Sequence, residues 1–182
     1  MDHRVRHYRY VGPADLRSAV PPGGTGRPIR DAGDLAAWAA EQTTADLAEP
    51  FTYVVDVAGV LRLAPRRSEH VACAEGEDVL GAGEIAFRET SGTWAAVEVS
   101  NLSTGYSPDT VSWPSVARAL DRAGLGRPPG FTHAVVFRRC TGCGERGIVR
   151  EDDFVCVFCG SDLPAEWNVD APDADGGPSS PS

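Results

Sequence analysis

Four cysteines between residues 140 and 159 have the types and spacing of a metal site. Cys140, Cys143, Cys156 and Cys159 form the pattern C-x2-C-x12-C-x2-C. Two close cysteine pairs separated by a dozen residues can place four thiolates around one ion, and a tetrahedral sulfur shell favours zinc. Such a shell leaves no position for water or substrate, so the predicted ion is a structural Zn2+ and not a catalytic one.

A glycine follows each cysteine pair, Gly144 after the first and Gly160 after the second. Glycine permits the tight backbone turn that aims amide groups at the thiolate sulfurs. We therefore predict a zinc ribbon over residues 138–168, in which short strands at 147–149 and 154–155 pair across a polar turn. A unit of about 30 residues has too small a core to fold alone, so metal binding should supply folding free energy on the order of 10 kcal/mol.

Two other interpretations of the four cysteines stay open. They could form disulfides, although the spacing and the expected reducing compartment favour a metal. The spacing also resembles that of the rubredoxin domain of rubrerythrins, which implies iron. However, the sequence has no Glu-x-x-His helix pair of the kind that a di-iron partner domain would bring.

Composition limits the function classes. The chain has 182 residues, of which 42% are hydrophobic, enough for one medium domain beside the ribbon. Its net charge is -9, which disfavours nucleic acid and anionic membrane surfaces as partners. An apolar leader does not follow the first residues, and the sequence has no run of 18 apolar residues. We expect a cytoplasmic protein that does not enter membranes and whose partner is another protein.

The elements that must precede the ribbon form an α+β domain over residues 1–137. Alternating apolar residues predict two hairpins, 51–56 with 60–63 and 83–88 with 93–99, and therefore a mostly antiparallel sheet. Two or three helices accompany it, one from Asp31 or Asp34 to about residue 48 and another capped by Ser112. A last strand at 132–137 leads into the ribbon, and residues 169–182 read as a disordered acidic tail.

A second group of reactive side chains falls on two loops at strand ends. Glu69 and His70 could act as general acid and base, and the two loops could form a pocket between 66–70 and 100–106. In the alternative interpretation the arginines pair with carboxylates, His70 is structural, and Cys73 is a small buried side chain and not a nucleophile. The other side chains of the group are Arg66, Arg67, Ser68, Asn101 and Tyr106.

Four runs of the sequence form a further pattern: R-R-S-E-H-V-A-C-A at 66–74, A-G-E-I-A-F at 82–87, S-N-L-S-T-G-Y-S-P at 100–108 and the second cysteine knuckle. In these runs the chain resembles a group of uncharacterised bacterial proteins from GC-rich, actinobacterial-like genomes that end in a four-cysteine zinc ribbon. The resemblance spans residues 8–168 and implies a two-part architecture. It carries no activity and no catalytic residue.

Three function classes follow from these patterns. The first is an adaptor or protein-interaction module that uses aromatic side chains near the ribbon, namely Phe154, Phe158 and Trp167. The second is an enzyme, a hydrolase or group transferase with the pocket described above. The third is nucleic-acid binding through the ribbon, which would require the four ribbon arginines to share one face. These arginines are Arg138, Arg139, Arg146 and Arg150.

Overall fold

The computed structural model describes residues 5–170, and the chain divides between Val135 and Val136 into two compact units. The first unit contains a five-stranded antiparallel sheet with helices, and the second contains a two-stranded sheet and the four cysteines. This arrangement confirms the predicted α+β class. The sequence-based boundaries, 1–137 and 138–168, stay a prediction.

The predicted tail lies outside the described residues from position 171 onward. Its first residue, Val169, is fully buried. The Val169 side chain therefore belongs to the packed interior, one residue beyond the predicted end of the ribbon.

The helices and strands are short. The helices are α1 (Ala14–Ser18), α2 (Ala32–Ala40), α3 (Thr44–Leu47), α4 (His70–Cys73) and α5 (Trp113–Arg122), and a 3-10 turn at Thr110–Ser112 precedes α5. The strands are β1 (Arg27–Ile29), β2 (Phe51–Asp56), β3 (Leu61–Ala64), β4 (Val79–Thr90), β5 (Thr93–Val99), β6 (Val136–Arg139) and β7 (Arg146–Val149).

The large sheet has the order β1-β3-β2-β4-β5, and every pairing in it is antiparallel. Both predicted hairpins are present, as β2 with β3 and as β4 with β5. The central strand β2 is buried along nearly its whole length, and both α4 and α5 contact it. No helix in the part of the chain that the structure describes is long and apolar enough to cross a membrane.

The predicted helix from Asp31 to about residue 48 is wrong in its length. Its start is as expected, since the Asp31 carboxylate accepts a hydrogen bond from the Asp34 amide at 2.8 Å. The helix ends at Ala40, and a capping box starts α3: the Thr43 hydroxyl accepts from the Asp46 amide, and the Asp46 carboxylate accepts from the Thr43 amide. These side chains satisfy amides that a continuous helix would have bound to carbonyls, so the chain restarts there.

Helix α5 packs its apolar stripe on the sheet, with Val116 and Leu120 fully buried. Gly124 ends it with a φ of +71°, as predicted. Ser112 does not cap it: its hydroxyl donates to the Asp109 carbonyl at 2.7 Å inside the 3-10 turn.

Candidate metal centre

The four cysteine sulfurs converge on one point. All four Sγ atoms lie within 4.8 Å of one another, and no other group of three or more Cys, His, Asp or Glu side chains within residues 5–170 is placed to hold a metal. The Sγ atoms of Cys140 and Cys159 are 3.6 Å apart, and those of Cys143 and Cys156 are 3.7 Å apart. Zinc bonds sulfur at about 2.3 Å, which sets a tetrahedral sulfur–sulfur edge of about 3.8 Å. The donor set therefore fits a tetrahedral ion such as zinc.

The two cysteine knuckles have the same backbone. In the first, the Cys140 amide donates to the Glu145 carbonyl and the Gly144 amide donates to the Cys140 carbonyl, each at 2.8 Å. In the second, the Cys156 amide donates to the Ser161 carbonyl and the Gly160 amide donates to the Cys156 carbonyl, again at 2.8 Å each. Gly144 and Gly160 have φ values of +80° and +79°, a conformation that strongly favours glycine. The predicted role of the two glycines is confirmed.

The partner predicted for the ribbon hairpin is wrong. Strand β7 pairs with β6 across the first knuckle, in the register Val136↔Val149 to Arg139↔Arg146, and not with residues 154–155. Between β7 and residue 170 the chain forms only isolated bridges, Arg150↔Asp153 and Val155↔Asp162. The knuckle loop between β6 and β7 already closes an antiparallel pair, so the second knuckle packs as a loop beside it.

Residues 164–169 return along β6 and complete the unit. The buried Arg138 guanidinium donates to the carbonyls of Pro164 and Ala165 at 2.9 and 2.6 Å. The Asn168 amide group pairs with both backbone polar groups of Arg139, at 2.8 and 2.9 Å. We call 164–169 the C-terminal strap, because it supplies hydrogen-bond partners that neither knuckle provides.

Ser161 supports the site from outside the sulfur shell. Its Oγ atom lies 3.2 Å from Cys159 Sγ, within hydrogen-bond distance. The hydrogen bonds from the Ser161 side chain and backbone, together with the Cys140 thiol, lower the pKa of Cys159 to about 6. At Cys143, a hydrogen bond from the Glu145 amide lowers the pKa, but desolvation and the other three sulfurs outweigh it and raise the pKa to about 12. The Cys143 and Cys159 thiols therefore do not ionise together unless a cation offsets their mutual repulsion.

The loop side chains of the second predicted site serve the fold of the first unit. Asn101 is fully buried; its amide group donates to the carbonyls of Pro108 and Val135, and its oxygen accepts from the Val135 amide. The buried Tyr106 hydroxyl donates to the Glu77 carbonyl at 2.6 Å. Each of these groups is satisfied by protein backbone.

Side chains of the 66–73 segment also contact other residues of the first unit. Arg66 forms an ion pair with Glu49, and the Nε2 atom of His70 lies 2.8 Å from the Gly83 carbonyl. Burial raises the pKa of Cys73 to about 12 and holds the thiol protonated, as expected for a structural cysteine. The exposed Glu69 precedes α4 without a side-chain capping bond. These contacts match the structural interpretation; the catalytic roles of Glu69 and His70 stay a prediction without a supporting contact.

The pH dependence of stability tests the structural role of His70. Burial lowers the pKa of His70, against the opposing effect of the Gly83 hydrogen bond. An unfolded histidine titrates near pH 6.5, so below that pH the unfolded chain binds the extra proton and the first unit loses stability as the pH falls. Between pH 7.5 and 5.5 we expect the wild type to lose up to about 1 kcal/mol more than His70→Gln.

Denaturant unfolding in the presence of a chelator, which removes the metal site from the comparison, measures this difference. The matched control is His133→Gln, because His133 is an exposed histidine of the same unit. If the free energy of unfolding changes equally with pH in the wild type and in His70→Gln, the structural role assigned to His70 is contradicted.

The structure also shows residues that the sequence analysis missed. Val155 and Val157 are exposed on the second knuckle beside Phe158, whereas Phe154 lies under the Arg138 guanidinium, 5.5 Å from ring centroid to Cζ. The alternation Val-Cys-Val signals this: with Cys156 directed inward, its neighbours face outward. Ser161 places its hydroxyl beside the Cys159 sulfur, as outer-shell partners of metal ligands do.

Comparison of the chain with protein-family models, with curated proteins and with solved structures finds no match. The resemblance to bacterial zinc-ribbon proteins therefore gains no support beyond the four-cysteine cluster itself. Fold and site define the class: an α+β protein with a C-terminal four-cysteine site that can hold a metal ion such as zinc.

Proposed function

We propose that the second unit is a structural zinc ribbon that binds another protein through an apolar tip, and that the chain acts as a cytoplasmic adaptor. The observation that carries the proposal is the exposure of Val155, Val157 and Phe158, at 39%, 77% and 63%. They lie within four consecutive positions and flank the metal ligand Cys156. Contiguous exposed apolar side chains on a rigid support are typical of protein-interaction sites.

The first knuckle shows that the metal site does not require these side chains. The two knuckles share one backbone, yet the positions between the cysteines are Thr141 and Gly142 in the first and Val157 and Phe158 in the second. All four positions are exposed. Since a polar residue and a glycine serve equally well at the first tip, the apolar pair at the second tip is not explained by metal binding.

Charge indicates the chemistry of the partner. Residues 136–170 contain seven carboxylates and four arginines, so the ribbon is acidic. An apolar pocket with a basic rim on another protein would complement the tip and its surroundings.

The nucleic-acid alternative finds less support. The Arg138 guanidinium is buried on backbone carbonyls, and the side chains of Arg139 and Arg146 also donate to carbonyls of the unit. Three of the four arginines therefore already donate to protein carbonyls, which leaves less of their hydrogen-bonding capacity for phosphate contacts.

Exchanging the tip sequences tests the adaptor proposal. The double substitution Val157→Thr with Phe158→Gly gives the second knuckle the sequence of the first, so metal content and the melting temperature should stay unchanged. A photo-crosslinking residue at position 158 first identifies the partner in the source organism. Affinity of the purified pair should then fall at least about 30-fold, as expected when a central aromatic anchor is lost.

The control is Val57→Ser, which removes an exposed valine, 50% accessible, from the first unit. Equal weakening by the control, or no crosslinked partner despite a loaded and folded ribbon, would count against the proposal.

A further inference from the structure

A cleft runs along one face of α5 in the first unit. Its opposite wall is the segment 5–8, which two backbone hydrogen bonds between Tyr8 and Val79, of 2.7 and 2.9 Å, hold against β4. Two adjoining cavities of about 330 and 230 Å³ form the cleft. They share the wall residues Val5, Leu80, Ser115 and Arg118. Pockets of a few hundred Å³ are of the size that holds small ligands.

The cleft is basic, although the chain is acidic. Ser115, Arg118 and Arg122 follow one another at i, i+3 and i+7, which places them on one stripe of α5 facing the cleft. Arg6 contributes a third guanidinium from the opposite wall. The acidic group beside these cations is Asp109, which forms an ion pair with Arg6 at 3.0 Å.

The contacts of these side chains differ along the cleft. Arg6 is held by Asp109, and Arg122 donates to the Ala58 carbonyl at 3.2 Å, so both have protein partners. Arg118 and the hydroxyl of the largely buried Ser115 lie between them and line both cavities. Within residues 5–170, neither of these two side chains has a hydrogen bond or an ion pair. The centre of the cleft thus offers a cation and a hydroxyl to a ligand.

The walls add an apolar component. Val5 and Val111 border the first cavity and are 43% and 63% exposed, and Pro114 lies beside them. Guanidinium groups match phosphate oxygens geometrically, and a hydroxyl can donate to the same oxygens. Counted over the residues that the structure describes, three arginines beside one carboxylate favour a doubly charged ligand over a singly charged one.

We propose that this cleft binds a small phosphomonoester, with the phosphate on Arg118 and Ser115 between Arg6 and Arg122, and with the apolar part against Val5 and Val111. The site belongs to the first unit and does not depend on the adaptor role of the ribbon.

Calorimetric titration of the full metal-loaded chain with inorganic phosphate and with phenyl phosphate tests the site. We expect one site per chain and tighter binding of phenyl phosphate. Arg118→Gln should weaken both ligands at least about tenfold, because a charge-assisted bond is lost. Ser115→Ala should weaken both several-fold without harming the helix, since alanine has the highest helix propensity. Val111→Ser should weaken phenyl phosphate alone.

Arg88→Gln is the matched control, because it removes the same charge from an exposed position on β4. It should leave the affinities for inorganic phosphate and phenyl phosphate within about twofold of the wild-type values, since exposed distant charges are screened by salt. Equal weakening by Arg88→Gln and Arg118→Gln, or no saturable binding below about 10 mM, would overturn the proposal. Binding to phosphatidic acid vesicles without binding of phenyl phosphate would assign the cleft to a lipid headgroup and also overturn it.

Discussion

Removing the metal is expected to unfold the second unit and to leave the five-stranded sheet folded. The two units are compact by themselves, and the second has little buried apolar surface apart from a few side chains such as Phe137 and Val149. The free energy of metal binding, on the order of 10 kcal/mol, therefore has to supply most of the stability of the ribbon. Without the ion, the four clustered thiols no longer hold the knuckles together.

Cys143→Ser should reproduce the effect of a chelator. Elemental analysis should give one zinc per chain for the wild type and loss of zinc for the variant. Amide resonances of residues 136–170 should collapse to unfolded positions, while those of 5–135 stay in place.

The matched control is Cys73→Ala, which removes a cysteine outside the cluster and should keep the zinc. A chelated wild type that melts in a single unchanged transition, or a purified chain with only a trace of bound metal, would refute the metal-dependent ribbon.

Asn101→Ala is expected to destabilise the first unit by about 3–5 kcal/mol, because three buried backbone groups lose their partner at once. The Asn101 side chain binds the Val135 amide and carbonyl at 2.7 and 2.8 Å and the Pro108 carbonyl at 3.0 Å. It thereby joins the loop after β5 to the segment that precedes β6. A domain is stable by only about 5–15 kcal/mol, so this single change removes a large part of the total.

Urea unfolding of the first unit measures the loss, with Thr104→Ala as control. Thr104 lies on the same loop but is exposed, so its truncation should cost less than about 0.5 kcal/mol. A cost below about 1 kcal/mol for Asn101→Ala would show that water or a shifted loop replaces the lost bonds.

The sequence predicted those features of the structure that are determined by residues close together in the chain. The cysteine spacing and the glycines were sufficient to predict the knuckles, because both act within a few residues. The two hairpins of the large sheet were predicted for the same reason. The break after Ala40 also had a local signal, because Thr43 and Asp46 have the spacing of a capping box, but the predicted helix ran past them to about residue 48.

Features that depend on distant residues were not predictable. Strand β7 pairs with β6, which precedes the first knuckle. The pattern of apolar residues does not determine which neighbouring strand β7 pairs with. The role of Asn101 depends on a residue 34 positions away. The basic cleft joins Arg6 to Arg118, which only the packing of segment 5–8 beside α5 brings together.

The C-terminal strap has a consequence for biosynthesis. The Arg138 guanidinium can leave water only when the carbonyls of Pro164 and Ala165 are available. The backbone amide and carbonyl of Arg139 in β6 likewise pair with the Asn168 side chain. While the ribosome is still translating these codons, the knuckles have all four thiols but not the backbone groups that close around them. We therefore expect ion capture to be a late event, after the first unit has had time to fold.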